Sequence, residues 1–199
     1  MGIGEHGCYI FGLSSTYLRG CSGCSGCSKA MILPIIKYGD PILHKLCEPV
    51  TVFDGDLERL ARNMVETMYG APGVGLAAPQ VGVTKRLIVL DVTVGEKDGN
   101  LITLVNPEII VAEGEQYEVE GCLSIPEFTA KVHRPYRVVM SGKDIHGKEA
   151  VIEGEGLLSR VLAHEIDHLN GILFIDHLSS FKRDIIKRKI RKKVRAGEW

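Results

Sequence analysis

The order of predicted helices and strands along the 199 residues indicates an α+β fold, with antiparallel or mixed sheets around a central helix and a basic helix at the C-terminal end. Apolar residues recur at helical spacing before residue 70 and after residue 156, whereas short strand-like runs occupy the middle of the chain. Hydrophobic residues make up 45% of the chain and charged residues 25%, which is typical of a single globular domain with a sizeable core.

The first helix is predicted from Asp54 to Tyr69. Apolar side chains recur there at the spacing of an amphipathic helix, at Leu57, Leu60, Ala61, Met64, Val65 and Met68. Gly70 follows, and glycine commonly ends a helix.

Strands are predicted in the middle of the chain, where runs of apolar and β-branched residues occur at 86–91, 101–105, 136–140 and 149–152. Residues 116–119 are also strand-like. No apolar run approaches the ~20 residues that span a membrane, so we expect no membrane segment.

The central helix follows Gly156 and contains His164-Glu165-Ile166-Asp167-His168. Apolar residues at 157, 158, 161, 162, 166 and 169 give it one buried stripe, and Gly171 lies where the helix is expected to stop. Histidines four residues apart project from one helical face and can bind one cation. The intervening Glu lies about 100° around the helix, where it can deprotonate a water molecule. H-E-x-x-H therefore predicts a metal-binding helix of a hydrolase.

A third metal ligand must come from elsewhere, because catalytic sites usually have three protein ligands. Asp176 and His177 lie downstream, without the H-x-x-G-x-x-H continuation of common zinc proteases. Cys122 lies upstream in Glu-Gly-Cys-Leu-Ser, beside a glycine that permits close approach of the backbone. A lone cysteine is more often an inert buried residue, so residue chemistry alone leaves both alternatives open.

Residues 73–80 form a segment rich in glycine and alanine, Gly-Val-Gly-Leu-Ala-Ala-Pro-Gln. Its small residues permit tight turns, and the amide of Gln80 can donate a hydrogen bond to an oxyanion. A phosphate-binding loop is not favoured, because no Lys-Ser/Thr pair follows and the G-x-G-x-x-G spacing is absent.

Three motifs in this order, G-x-G-x-A-A-x-Q, E-G-C-L-S and H-E-x-x-H, together resemble the peptide deformylase family. The similarity runs from about Met31 to the C-terminal end. It implies an enzyme that hydrolyses the formyl group from the N-terminal formyl-methionine of new polypeptides and releases formate.

The resemblance also implies roles for individual residues. Cys122, His164 and His168 would hold the metal ion, with water in the fourth position. Glu165 would act as the general base, while the Gln80 side chain and the Leu123 N–H would donate hydrogen bonds to the developing oxyanion.

The resemblance favours Fe2+ as the working ion and implies no other cofactor. One thiolate and two imidazoles also accept Zn2+, Ni2+ or Co2+, so the ligand set does not select among these ions.

The formyl-methionine side chain requires an apolar slot, for which Val74, Gly75, Leu157 and Val161 are the expected lining. Leu157 and Val161 are predicted on the buried side of the metal-binding helix. Plain core packing is an equally good explanation of Leu157. Arg134 and Asp167 are expected to form an ion pair behind the site, with a solvated surface position as the alternative for Arg134.

Charge is unevenly distributed along the chain. Residues 182–199 contain nine Lys and Arg against two acidic residues, a net charge of +7, whereas the preceding residues sum to −8. Such a segment suits a polyanion, and with the resemblance it points to ribosomal RNA as a partner. The alternative is an ordinary solvated helix that docks on the core through Ile185, Ile186, Ile190 and Val194.

Residues 1–30 form a leader that differs in composition from residues 31–199, which are predicted to form the catalytic domain. The leader contains four of the six cysteines, Cys8, Cys21, Cys24 and Cys27, and the last three lie in a Cys-Ser-Gly repeat. We expect it to be disordered and foreign to the domain; a targeting or metal-binding extension is the alternative. A thiolate ligand without a disulfide framework suits the cytoplasm.

Two other functions fit parts of the sequence. A zinc endopeptidase would share H-E-x-x-H, but an upstream cysteine ligand argues against it. A non-catalytic ribosome-docking protein with a structural metal would need neither Glu165 nor Gln80.

Overall fold

The computed structural model describes residues 30–96 and 100–199. Its helices are α1 (Gly55–Gly70), α2 (Leu157–Leu169) and α3 (Ser180–Ala196). Its strands are β1 (Gly75–Ala77), β2 (Leu87–Leu90), β3 (Ile102–Glu113), β4 (Gln116–Cys122), β5 (Ile125–Arg134), β6 (Arg137–Lys143) and β7 (Glu149–Glu155). Short 3-10 helices occur at Pro41–His44, Ala78–Val81 and Phe174–His177. The α+β prediction is confirmed, and the pairs between named strands are all antiparallel.

The main sheet has five strands in the order β1-β2-β3-β6-β7 and lies between α1 and α2. The side chains of strand β2 show why the sheet is covered by a helix on each face. Leu87 and Val89 pack with α1, whereas Ile88 and Leu90 pack with α2, so alternate side chains fill opposite cores. All four residues of β2 are therefore apolar and buried, as in a strand covered on both faces.

Strands β4 and β5 form a separate two-stranded hairpin. Ile125 and Val132 of β5 contribute to a third apolar cluster with the 3-10 helix Phe174–His177 and with α3. The pairing slips at the closed end of the hairpin, between Gly121 and Cys122, so that Cys122 pairs with Ile125. Leu123 and Ser124 form the turn. The hairpin therefore presents the whole E-G-C-L-S motif at its tip.

All three predicted helices are present, and α1 and α2 agree with their expected bounds to within a residue or two. The strand predictions missed β1 and β5 entirely. Strand β1 has only three residues and lies within the small-residue segment, while β5 contains Pro126, which weakens a strand signal. Strand β3 is longer than expected, because it continues through register shifts between Val105 and Val111 to pair with β6.

Helix α3 docks on the third cluster through Ile186 and Ile190, as the apolar stripe predicted. Val194 was also expected in that stripe, but its side chain is 55% exposed. The helix is thus buried along a strip of about one turn, and its basic residues lie outside it. None of the described helices is long and apolar enough to cross a membrane. The leader, apart from Ala30, and its four cysteines lie outside the described residues.

Candidate metal centre

Helix α2 places His164 and His168 on one face, with ring centroids 5.0 Å apart. The opposite stripe, which includes Leu162, Ile166 and Leu169, is buried against the sheet. The 3.6-residue period therefore directs both imidazoles away from that core and toward the hairpin tip.

Cys122 at the end of β4 completes a group of three candidate ligands. Its Sγ and one imidazole nitrogen from each histidine lie within 4.8 Å of one another, and Cys122 Sγ is 3.1 Å from His168 Nε2. Among the residues described, no other group of His, Cys, Asp and Glu is arranged in this way. The downstream alternatives have other partners: Asp176 accepts a hydrogen bond from Leu173 N–H, and His177 contacts Asp167.

The surroundings of His164 favour a positive charge. Burial lowers the pKa of His164, but hydrogen bonds to Cys122 and Glu120 outweigh that effect and raise it well above its ordinary value. Burial lowers the pKa of His168, which keeps this imidazole in the neutral form that binds metals. A thiolate and two imidazoles so placed fit a divalent transition-metal ion.

A buried ionic network supports these ligands from behind. Arg134 donates from Nε and Nη2 to the two carboxylate oxygens of Glu120, at 2.8 and 3.0 Å, and from Nη1 to Asp167 at 2.6 Å. Glu120 in turn lies 3.1 Å from His164 Nδ1. Burial raises the pKa of Glu120, but hydrogen bonds from His164 and Arg134 lower it to about 2. The predicted pair of Arg134 and Asp167 is confirmed, and Arg134 is buried rather than at the surface.

Glu165 lies beside the ligands and is 3% exposed. Burial raises the pKa of its carboxyl group to about 7, and its Oε2 has no hydrogen-bond partner among the described residues. A carboxylate with this pKa and a free oxygen can accept and release a proton near neutral pH.

Gly75 provides the space for Glu165. A Cβ atom at residue 75 would overlap Glu165 Oε1 and would lie 2.9 Å from Val161 Cγ1. Gly73 similarly makes room for Leu123, whose Cδ1 would be 2.8 Å from an added Cβ. The segment forms β1 and a 3-10 helix, and neither glycine has a positive φ. These glycines permit close approach rather than an unusual backbone.

Gln80 is 2% exposed and its amide has a defined orientation. Its Oε1 accepts a hydrogen bond from Ala77 N–H at 2.8 Å, so Nε2 must face the site. Nε2 donates to Ser124 Oγ at 3.2 Å and lies 3.5 Å from Cys122 Sγ. Both N–H groups of this amide are therefore directed toward the hairpin tip, beside the candidate ligands.

The residues expected to bind substrate differ in burial. Val74 is half-buried, Gly75 is buried and Val161 is 6% exposed. Leu157 is 44% exposed, so its predicted burial is wrong. It is the first residue of α2 and lies seven residues before His164, on the helical face of the ligands rather than that of the core.

Glu120 and Ser124 are site residues whose roles the sequence reasoning missed. Both belong to the E-G-C-L-S motif, and a signal was present. Residues two apart on a strand point to the same side, so Glu120 could have been predicted to face the same side as Cys122. Its acidic chemistry then suits a partner for a ligand histidine.

The α+β fold and this cluster of one cysteine sulfur, two imidazoles and an adjacent carboxylate define a metal-dependent hydrolase. The sequence profile of the family described as Polypeptide deformylase matches residues 32–184. A peptide deformylase from Acidobacterium capsulatum is 52% identical over 85% of this chain and 99% of its own length, and one from Thermodesulfovibrio yellowstonii is 53% identical over 81% and 98%. The crystal structure of a peptide deformylase from Legionella pneumophila aligns with a TM-score of 0.78 at 46% identity, over 83% of this chain and 97% of the other. The chain therefore belongs to the peptide deformylase family, which removes the N-formyl group from nascent polypeptides.

Replacing Arg134 by Lys should destabilise the protein by about 2–4 kcal/mol and weaken metal binding. A single ammonium cannot donate to both oxygens of Glu120 and also reach Asp167, so buried charge is left poorly paired. Urea unfolding and metal analysis measure the two effects. Arg137→Lys, whose ion pairs with Glu113 and Glu153 are exposed, is the matched control and should change little. Similar losses in both variants would contradict the importance of the buried network.

Replacing Gly75 by Ala should lower turnover at least about tenfold while metal content stays near that of the parent. The added Cβ displaces the Glu165 carboxylate without touching a metal ligand. Gly55→Ala is the control, because a Cβ there meets no atom within 4 Å. Full turnover of the Gly75 variant would show that the observed Glu165 position is not required.

Proposed function

We propose that Glu165, Gln80 and the Leu123 N–H carry out deformylation beside a metal ion held by Cys122, His164 and His168. The observation that supports this proposal most directly is the buried, partly unpartnered Glu165 carboxylate next to the three-ligand cluster. A structural metal site needs no such group.

A formamide is a poor electrophile, and the amine that leaves it must be protonated. A divalent ion at the three ligands supplies Lewis-acid activation of water. Glu165 accepts a proton from the attacking water and transfers it to the departing amine. Its raised pKa, about 7, suits both transfers near neutral pH.

Gln80 and Leu123 stabilise the charge that develops on the formyl oxygen. Gln80 Nε2 is held in place by the bond from Ala77 N–H to its Oε1. The Leu123 N–H lies in the hairpin turn immediately after Cys122. One donor of this kind contributes about 3 kcal/mol in comparable sites.

The methionine side chain of the substrate is proposed to lie against Val74, Gly75, Leu157 and Val161. Val161 and Leu157 lie one helical turn apart at the N-terminal end of α2, on the same face as the proposed metal ligands. Exposure of Leu157 supports this proposal over plain core packing, since an exposed apolar side chain can be covered by a ligand.

Fe2+ is the proposed working ion, with Zn2+, Ni2+ and Co2+ as alternatives that the same ligands accept. The proposal rests on the family resemblance, because the donor set alone does not distinguish these ions.

Glu165→Gln should keep its metal but lose activity about a hundredfold or more, because a base is removed without touching a ligand. Formate release from formyl-Met-Ala-Ser, by protein prepared without oxygen, measures this. Glu118→Gln, an exposed change on β4, is the control. Turnover above a tenth of the parent value would exclude Glu165 as the base. Cleavage of unformylated peptides by the parent would instead favour an endopeptidase.

The iron form should lose activity in air faster than a nickel-loaded form. A thiolate beside a redox-active ion is exposed to oxidation by O2, and peptide mass spectrometry should locate the damage at Cys122. Cys47 is an internal control, because it is only 3% exposed and burial raises its pKa. Equal lifetimes of both metal forms would argue against iron-centred damage.

We also propose that α3 binds the ribosome. Its basic side chains at 188, 189 and 192 are exposed, whereas Ile186 and Ile190 attach the helix to the core. The negatively charged phosphate backbone of RNA is attracted to such a basic surface, and substrates of the family emerge from ribosomes. In the alternative, the same apolar residues dock the helix on the core, but its basic side chains are only solvated and bind no partner.

Changing Arg188, Lys189 and Lys192 to Gln should weaken cosedimentation with ribosomes and reduce its dependence on salt, because fewer counterions are released. Hydrolysis of a free formyl-peptide should not change. Changing Lys45, Lys131 and Lys148 to Gln removes the same charge from exposed positions elsewhere and should leave binding intact. If both triple variants sediment equally, the basic helix is only a solvated surface.

Residues 31–199 are proposed to form one catalytic domain, and residues 1–30 to be a leader outside it. The family match from residue 32 supports this boundary. The cytoplasm is the proposed compartment, because a thiolate ligand must stay reduced and both described cysteines are free.

A further inference from the structure

Residues 36–38 cross-link the two segments that carry the proposed oxyanion donors. Ile36 N–H donates to Gln80 O, and Tyr38 N–H donates to Ser124 O, both at 2.8 Å. We call residues 36–38 the strap. It lies across the backbones of Gln80 and of the turn that contains Leu123. It therefore influences the distance between the two donors.

The strap belongs to no helix or strand, so its position depends on how it is tethered. On its upstream side, Leu33 N–H donates to Thr67 Oγ1 of α1 at 2.8 Å. On its downstream side, the indole Nε1–H of Trp199 donates to Tyr38 O at 2.9 Å. The Trp199 ring also lies 6.2 Å from that of Phe128, at the start of β5, and 5.8 Å from Lys37 Nζ.

The end of α3 directs Trp199 to this place. Gly197 adopts the left-handed conformation with φ 72°, and the N–H groups of Gly197 and Glu198 bond back to Val194 O and Lys193 O. Lys193 Nζ also contacts Glu127 Oε2 at 2.6 Å, which holds this end of the helix against β5. The family match ends at residue 184, so Lys193, Gly197 and Trp199 themselves lie outside it.

We propose that Trp199 is a positioning residue for deformylation: by fixing the strap, it holds Gln80 and the Leu123 N–H at the spacing required by the developing oxyanion. This inference rests on the proposed roles of those two donors. Because the oxyanion forms only in the transition state, loss of the tether lowers kcat rather than raising KM.

The test compares variants of the full chain loaded with the same metal. Trp199→Phe keeps a ring near Phe128 but removes the N–H donor to Tyr38, and should lower kcat about threefold, as loss of one hydrogen bond implies. Trp199→Ala should lower kcat further, to about a tenth. KM should stay within about twofold and metal content should not change. Phe181→Ala, an exposed aromatic residue of α3, is the matched control and should leave kcat unchanged.

A double-mutant cycle with Gln80→Ala separates positioning from general stability. If Trp199 acts through the donors, both Trp199 substitutions should change kcat by a clearly smaller factor in the Gln80→Ala background, where only the Leu123 N–H remains to be positioned. An equal factor in both backgrounds, an effect on KM alone, or parental kcat in Trp199→Phe would each overturn the inference. If Trp199→Ala fails to fold, the Phe variant alone decides. Parental kcat in Gln80→Ala itself would instead remove the proposed role of Gln80, a failure that is distinguishable from failure of the strap.

Discussion

The pairing of the buried Arg134 guanidinium with Glu120 and Asp167 is the interaction on which the rest of the site depends. Strands β4 and β5 form no hydrogen-bonded pairs with the main sheet, yet the hairpin tip supplies Cys122 to two histidines of α2. Arg134 joins the two parts by binding Glu120 of the hairpin and Asp167 of α2. Glu120 then contacts His164, so the spacing of the ligands and the pairing of buried charges are set together. Removing one partner of such a buried ion pair leaves an uncompensated buried charge, which strongly lowers the stability of the folded protein.

Environment also gives different pKa values to two carboxylates near His164. Glu120 is held ionised, with a pKa near 2, by hydrogen bonds from His164 and Arg134. Oε2 of Glu165 has no hydrogen-bond partner in the part of the chain that the structure describes, and burial raises the pKa of this carboxyl group to about 7. The first carboxylate holds the His164 ring in place, and the second can exchange protons. Gly75 is part of this division, because only a residue without Cβ lets β1 approach so close to Glu165.

Helix α3 combines two structural tasks within 17 residues. Its narrow buried strip holds it to the third apolar cluster, and its charged surface faces outward. Its last turn returns the chain to the hairpin and the strap, through Lys193 and Trp199. Changes at its basic residues are therefore not equivalent. Those at 188, 189 and 192 alter only surface charge, whereas Lys193 also contacts β5.

Local periodicity was sufficient to predict the helices and the relation of His164, Glu165 and His168, because a 3.6-residue repeat fixes the relative directions of side chains on one helix. The apolar run of β2 was recognisable for a similar reason. The third candidate ligand was different: residue chemistry left Asp176, His177 and Cys122 open, and only the family resemblance favoured Cys122. Packing of the hairpin against α2 brings Cys122 beside the two histidines. Tertiary contacts also decided the short strand β1, the exposure of Leu157 and the tether from Trp199 to Tyr38. These features join residues far apart in the chain, and no local pattern encodes which distant surfaces will meet.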